Sequence, residues 1–121
     1  MLIGDAAGSS DPSRAHGTSL AFRDVRLLTE LLLDQRDWQV AITEFEQQRR
    51  TYFETIRQVT RWFAEVYFEA GEEADRRRER HQRAQQQDET LGGILLLEAI
   101  GPDELIVDES ARQLFFGENP N

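Results

Sequence analysis

A chain of 121 residues, 31% charged and 39% hydrophobic, has the make-up of one modest globular domain at most and not of a disordered or membrane-embedded polypeptide. The net charge of -9, from 23 acidic and 14 basic residues, argues against nucleic acid as a partner, because displacing phosphate counterions needs an excess of cations. Every basic residue is Arg and there is no Cys, which removes lysine nucleophiles, a Walker-type phosphate contact, disulfides and thiolate metal sites together.

In chain order, Met1-Leu2-Ile3 reads as the end of a buried strand. Nothing upstream supplies a sheet for it, which gives the expectation that the sequence belongs to a longer polypeptide. No basic region with an apolar run suggests a signal peptide or membrane span, so the cytoplasm is the expected compartment. Next comes a small-residue loop from Gly4 to His16, where backbone can approach a ligand closely. From Gly17 the pattern is helical: Leu20, Val25, Leu27, Leu28, Leu31 and Leu32 recur at three- and four-residue intervals, and Asp34 to Asp37 should end the helix.

Asp37 is a reasonable N-cap for a second helix. Its stripe of Ala41, Ile42, Phe45, Tyr52, Phe53, Ile56, Val59, Phe63, Val66, Tyr67 and Ala70 runs until Gly71 supplies a stop. At 1.5 Å per residue that helix is on the order of 50 Å long. Its stripe breaks at Gln48 and Arg49, which disfavours a regular zipper and favours docking on a larger body. Glu72 to Gln87 reads as a solvated helix laced by the pairs Glu72/Arg76, Glu73/Arg77 and Glu79/Arg83, with a basic patch at Arg76 to Arg78 as the lesser reading. The apolar run Ile94 to Ile100 is too short to span a bilayer. Asp108 or Glu109 opens a last short helix through Ala111, Leu114 and Phe115 that ends at Gly117.

The chemistry is concentrated at the start. Gly4-Asp5-Ala6-Ala7, then Asp11-Pro12, then Gly17-Thr18-Ser19 lead straight into a helix. An Asp at a strand end can accept hydrogen bonds from sugar-like hydroxyls, and a helix N-terminus offers free N–H groups to negative charge. Elsewhere the bland readings prevail. His16 is a loop residue before it is a proton carrier, His81 has no second His or Cys for a metal, and no carboxylates form a convincing acid/base pair. Trp38, Trp62, Phe63, Tyr67 and Phe68 read as core or docking surface, and Asp24 as facing solvent or pairing with Arg23 or Arg26. No residue is assigned a catalytic or metal-binding role.

The segment from Gly4 to Leu28 resembles the G-D motif of class A flavoprotein monooxygenases, the para-hydroxybenzoate hydroxylase-like family. That pattern is G-D-A-A, a Pro, G-Q-G, then a helix with an Asp near its first turns. Ala15 and His16 stand where the family usually has Gly and Gln, and Gly8 where it often has His. The resemblance implies that Gly4, Asp5 and Ala6 hold the ribityl part of FAD, with Asp5 on its hydroxyls, and that Pro12 lies at the isoalloxazine edge. Gly17, Thr18 and Ser19 would turn their N–H groups to the pyrimidine N1/O2 locus. It also makes a structural contact the expected role of Asp24.

The expected fold is mainly α as it stands: a short strand end, a small-residue loop, then long helices, corresponding to the C-terminal part of an α/β FAD-binding fold. Residues 1–35 would be the flavin-contacting strand-loop-helix and 36–121 a C-terminal helical region. No G-x-G-x-x-G follows a strand, so the dinucleotide-binding and substrate regions are expected outside this sequence, with a separate chain as one place for them. The implied activity is hydroxylation of a small organic substrate with O2, FAD and NAD(P)H, in which the isolated chain would be inactive. Alternatives are a flavin halogenase, epoxidase or reductase of the same fold, or a non-enzymatic helical interaction protein.

Overall fold

A computed structural model of the chain describes residues 2–8, 16–87 and 106–118. Pro12 and the apolar run Ile94 to Ile100 lie outside these residues. Among the described residues the structure is helical: a 3-10 turn Gly4–Ala7, then α1 (His16–Asp34), α2 (Trp38–Tyr67), α3 (Glu72–Gln87) and α4 (Glu109–Phe116). The strand end expected at Met1 to Ile3 is not seen in Leu2 and Ile3. Ile3 is extended, but no second strand is present among the described residues to pair with it, and a ladder needs a partner. Part of the expected loop is also ordered, as the 3-10 turn, and α1 starts at His16, one residue before the expected Gly17.

The chain divides into two compact units, Met1–Arg57 and Gln58–Asn121. In the first, α1 turns Leu20 and Leu31 inward and α2 supplies Ala41 and Phe45. Leu27, Leu28 and Leu32 pack on the Leu31, Ala41 and Phe45 cluster. The opposite side of α1 leaves Phe22, Val25 and Leu33 exposed. Asp37 caps α2 as expected, its Oδ1 accepting the N–H of Gln39 at 2.8 Å, which satisfies one of the donors a helix start leaves open.

The second unit is built around aromatic rings. Trp62, Phe63, Phe115 and Phe116 are all buried, with Phe115 edge-on to both Phe63 and Phe116 at 5.3 and 5.1 Å between centroids. Each such ring contributes roughly 1.5–3 kcal/mol through burial. Trp38 and Phe68, by contrast, are exposed. α2 ends at Tyr67, short of the expected stop at Gly71, and Gly71 instead precedes α3, its carbonyl accepting from Asp75. The carbonyls left open by the end of α2 are met by Arg78, whose Nε donates to the Val66 carbonyl at 3.0 Å and Nη2 to that of Glu69 at 3.1 Å.

α3 is less solvated than its composition suggests, because Ala74 and His81 are buried. Its pairs Glu72/Arg76 and Glu79/Arg83 form as expected. Arg77 leaves Glu73 for Glu65 of α2 and Glu69 just beyond its end. The last helix follows its sequence signals closely. Asp108 accepts from the Ala111 N–H at 2.8 Å, and Gly117 closes α4 in the left-handed conformation, with its N–H on Leu114 and that of Glu118 on Gln113.

Candidate functional site

The G-D segment is a turn held from below by a buried ionic cluster. Gly4 has φ +55°, a left-handed conformation that glycine adopts without a Cβ penalty. Its N–H donates to Asp24 Oδ2 at 2.7 Å and its carbonyl accepts from Arg49 Nη2 at 3.2 Å. Asp24 is fully buried. Its Oδ2 also accepts from Arg49 Nε at 2.9 Å, and its Oδ1 takes the hydroxyl of Tyr52. Asp24 therefore does not face solvent, and it pairs with Arg49 of α2. One residue of the first helix and one of the second converge on a single backbone position, and Tyr52 of the second holds the carboxylate between them.

Cation-π contacts fix the same side chains. The Arg49 guanidinium lies 4.7 Å from the centroid of the Phe53 ring, and that of Arg23 lies 4.4 Å from the Tyr52 ring. Burial pushes the Tyr52 phenol well above its ordinary range, helped by the hydrogen bond and negative charge of Asp24 and opposed by Arg49 and Arg23. The phenol is thus a neutral donor at any ordinary pH. Phe53 also lies against Gly8: a Cβ there would come within 3.1 Å of the ring, where the related flavoenzyme pattern often carries His.

Arg49 and Tyr52 were not anticipated as members of a site. The apparent break in the stripe of α2 at Arg49 is where Asp24 docks. Phe45, Arg49, Tyr52, Ile56, Val59, Phe63 and Val66 are all buried and follow alternating steps of four and three, so the stripe runs through the arginine. An arginine at core spacing in one helix and an aspartate on the inner face of another were the available signal.

Above this cluster, Asp5 and Ala6 are exposed on the turn, and Thr18 and Ser19 are exposed in the first turn of α1, with Gly17 half-buried. The first turn of α1 carries no acidic residue, so no carboxylate of that turn offsets the positive end of the helix dipole. An open pocket of about 490 Å³ lies alongside, lined by Leu2, Ala7, Phe45, Glu46, Arg49 and Arg50. The donor set fits a flavin: an exposed carboxylate for hydroxyl groups on a backbone held at Gly4, and the N–H groups of a helix start for an electron-rich ring edge. His16 is buried at the start of α1. No cluster of three metal-ligating side chains exists among the described residues, and no described helix is long and apolar enough to cross a membrane.

The class to which the chain is assigned is that of the class A FAD-dependent flavoenzymes, which use bound flavin for oxidoreductase chemistry. Within it, residues 1–112 match the family model described as tryptophan halogenase, and the chain belongs to that family. No curated protein and no solved structure matches it. The family match corrects the hydroxylase expectation toward the halogenase alternative.

Proposed function

We propose that this chain supplies the ribityl- and pyrimidine-binding part of a flavin-dependent halogenase acting on an aromatic substrate. The family match across residues 1–112 carries this reading. In it, Asp5 accepts hydrogen bonds from the ribityl hydroxyls, flanked by Gly4 and Ala6. The N–H groups of Gly17, Thr18 and Ser19 stabilise negative charge at the pyrimidine edge, and Pro12 borders the isoalloxazine. Bound flavin supplies the two-electron reduction of O2 that halogenation and hydroxylation both require, with NAD(P)H as the source of electrons. The ADP half of the cofactor and the substrate region belong to a G-x-G-x-x-G unit outside these 121 residues, in the same polypeptide or on a partner. The exposed Phe22, Val25 and Leu33 face of α1 offers that unit an apolar surface.

Two measurements test the proposal. FMN carries the isoalloxazine and ribityl groups without the ADP half, so its fluorescence should be quenched on titration with this chain, and Asp5→Ala should weaken the binding roughly tenfold or more. Equal binding by Asp5→Ala removes the ribityl contact. For reaction class, the polypeptide together with its nucleotide-binding unit is given reduced flavin, O2, bromide and an indole. The product mass should rise by substitution of bromine for hydrogen, and a hydroxylated product alone would return the enzyme to the monooxygenases.

A further inference from the structure

We propose that Asp24, Arg49 and Tyr52 form a positioning device for flavin: Asp24 and Arg49 grip the Gly4 backbone from both sides, Tyr52 holds Asp24, and together they set the aim of the Asp5 carboxylate and so govern flavin affinity through the backbone. This rests on the flavin contact proposed for Asp5.

Stability alone does not account for the cluster. Removing a carboxylate and a guanidinium from water costs several kcal/mol per ion, and well-packed apolar residues of similar volume are often as stable in their place. What an apolar trio could not do is hold one residue by both its N–H and its carbonyl. Asp24 Oδ2 accepts from Gly4 N–H at 2.7 Å, and Arg49 Nη2 donates to the Gly4 carbonyl at 3.2 Å. Only a forked cation with donors in two directions can bridge the carbonyl and the carboxylate together.

The Asp24 carboxylate is taken up within the cluster. Asp24 Oδ1 receives the Tyr52 hydroxyl, and Oδ2 receives both the Gly4 N–H and Arg49 Nε. Asp24 is fully buried while the neighbour of Gly4, Asp5, is exposed. The buried charges therefore act one residue away from the surface, through backbone. Ligand groups held within about 0.5 Å of their productive place need such a locked support.

The test uses the intact 121-residue chain, FMN as probe, and amide spectra in which Gly4 and Asp5 are assigned. Tyr52→Phe removes one hydroxyl and keeps the ring. Arg49→Lys keeps the charge but cannot reach Asp24 and the Gly4 carbonyl at once. Both should retain helix content by circular dichroism, shift the Gly4 and Asp5 amide signals, and weaken FMN binding by the folded chain between about threefold and tenfold. Arg57→Gln, on the exposed side of α2, should change neither. If Tyr52→Phe and Arg49→Lys bind FMN like the unaltered chain while Asp5→Ala does not, the cluster is merely structural and the inference is overturned with the flavin contact intact. A lowered unfolding midpoint with unchanged FMN affinity overturns it in the same way. If Asp5→Ala binds equally, or the unaltered chain leaves FMN unquenched, the flavin contact itself fails and the inference goes with it.

Discussion

At the scale of single residues, the chain spends its most costly interaction on Asp24 and Arg49, whose side chains are 1% and 11% exposed. Breaking such a pair from one side leaves the other charge buried without its counterion, a loss of about 3–5 kcal/mol. Asp24→Ala should therefore lower stability by that amount in urea unfolding followed by circular dichroism. The triple variant Asp24→Leu, Arg49→Met, Tyr52→Phe, which leaves no orphaned polar side chain in the cluster, should cost much less than the sum of its parts. Additive losses would show that the three side chains do not act as one network.

At the scale of elements, the α3 and α4 contact combines two requirements. His81 of α3 is buried beside the Phe115 ring, with 4.4 Å between centroids. Its Nδ1 lies 2.6 Å from the Phe115 carbonyl and its Nε2 3.4 Å from the Tyr67 hydroxyl. A carbonyl only accepts, so Nδ1 bears the proton, and Nε2 is left to accept from Tyr67. Burial lowers the imidazole pKa from its ordinary 6.5, partly opposed by the bond to Phe115. The unfolded chain then binds the proton more readily than the folded one. This contribution to stability is complete above about pH 6.5 and is lost as pH falls through the depressed folded value. Urea midpoints measured at about pH 7.5 and about pH 5.5 should fall for the native chain and fall less for His81→Gln.

The second requirement is Gly117. It is left-handed at φ +66°, and a Cβ there would lie 2.8 Å from the backbone oxygen of Arg80. Gly117→Ala should cost at least about 1–2 kcal/mol from the backbone conformation alone, with the steric contact added. Thermal unfolding with near-ultraviolet circular dichroism on the aromatic core measures the loss. An unchanged midpoint would mean that α3 and α4 are not held this closely.

At the scale of the whole molecule, what could be read from sequence was whatever local chemistry enforces. Asp37 and Asp108 as caps, Gly117 as a stop and the three- and four-residue spacing of α1 and α2 are short-range facts, and they lie where the sequence places them. The turn at Gly4–Ala7 is local in the same way, because its four residues are consecutive, whereas the side chains that hold Gly4 are not. What escaped was long-range. Nothing next to Arg49 says that its counterion is Asp24, 25 residues away, and a polar stretch such as α3 conceals that His81 is covered by Phe115, 34 residues on. Arg78 looked like part of a charged surface because the carbonyls it meets lie at and just past the end of another helix. The choice between halogenation and hydroxylation was similarly hidden: the resemblance pointed first to a hydroxylase, and the family match favours the halogenase alternative.

The two-sided hold on Gly4 has one more consequence, for how such a chain can diverge. The hold on Gly4 is exerted from positions 20 and 45 residues along the chain, so a lineage in which the turn matters should vary residues 24 and 49 together and not singly. Descendants that abandon the carboxylate at 24 should have abandoned the guanidinium at 49 as well, and an inherited mismatch between them would mark a copy released from its ancestral duty.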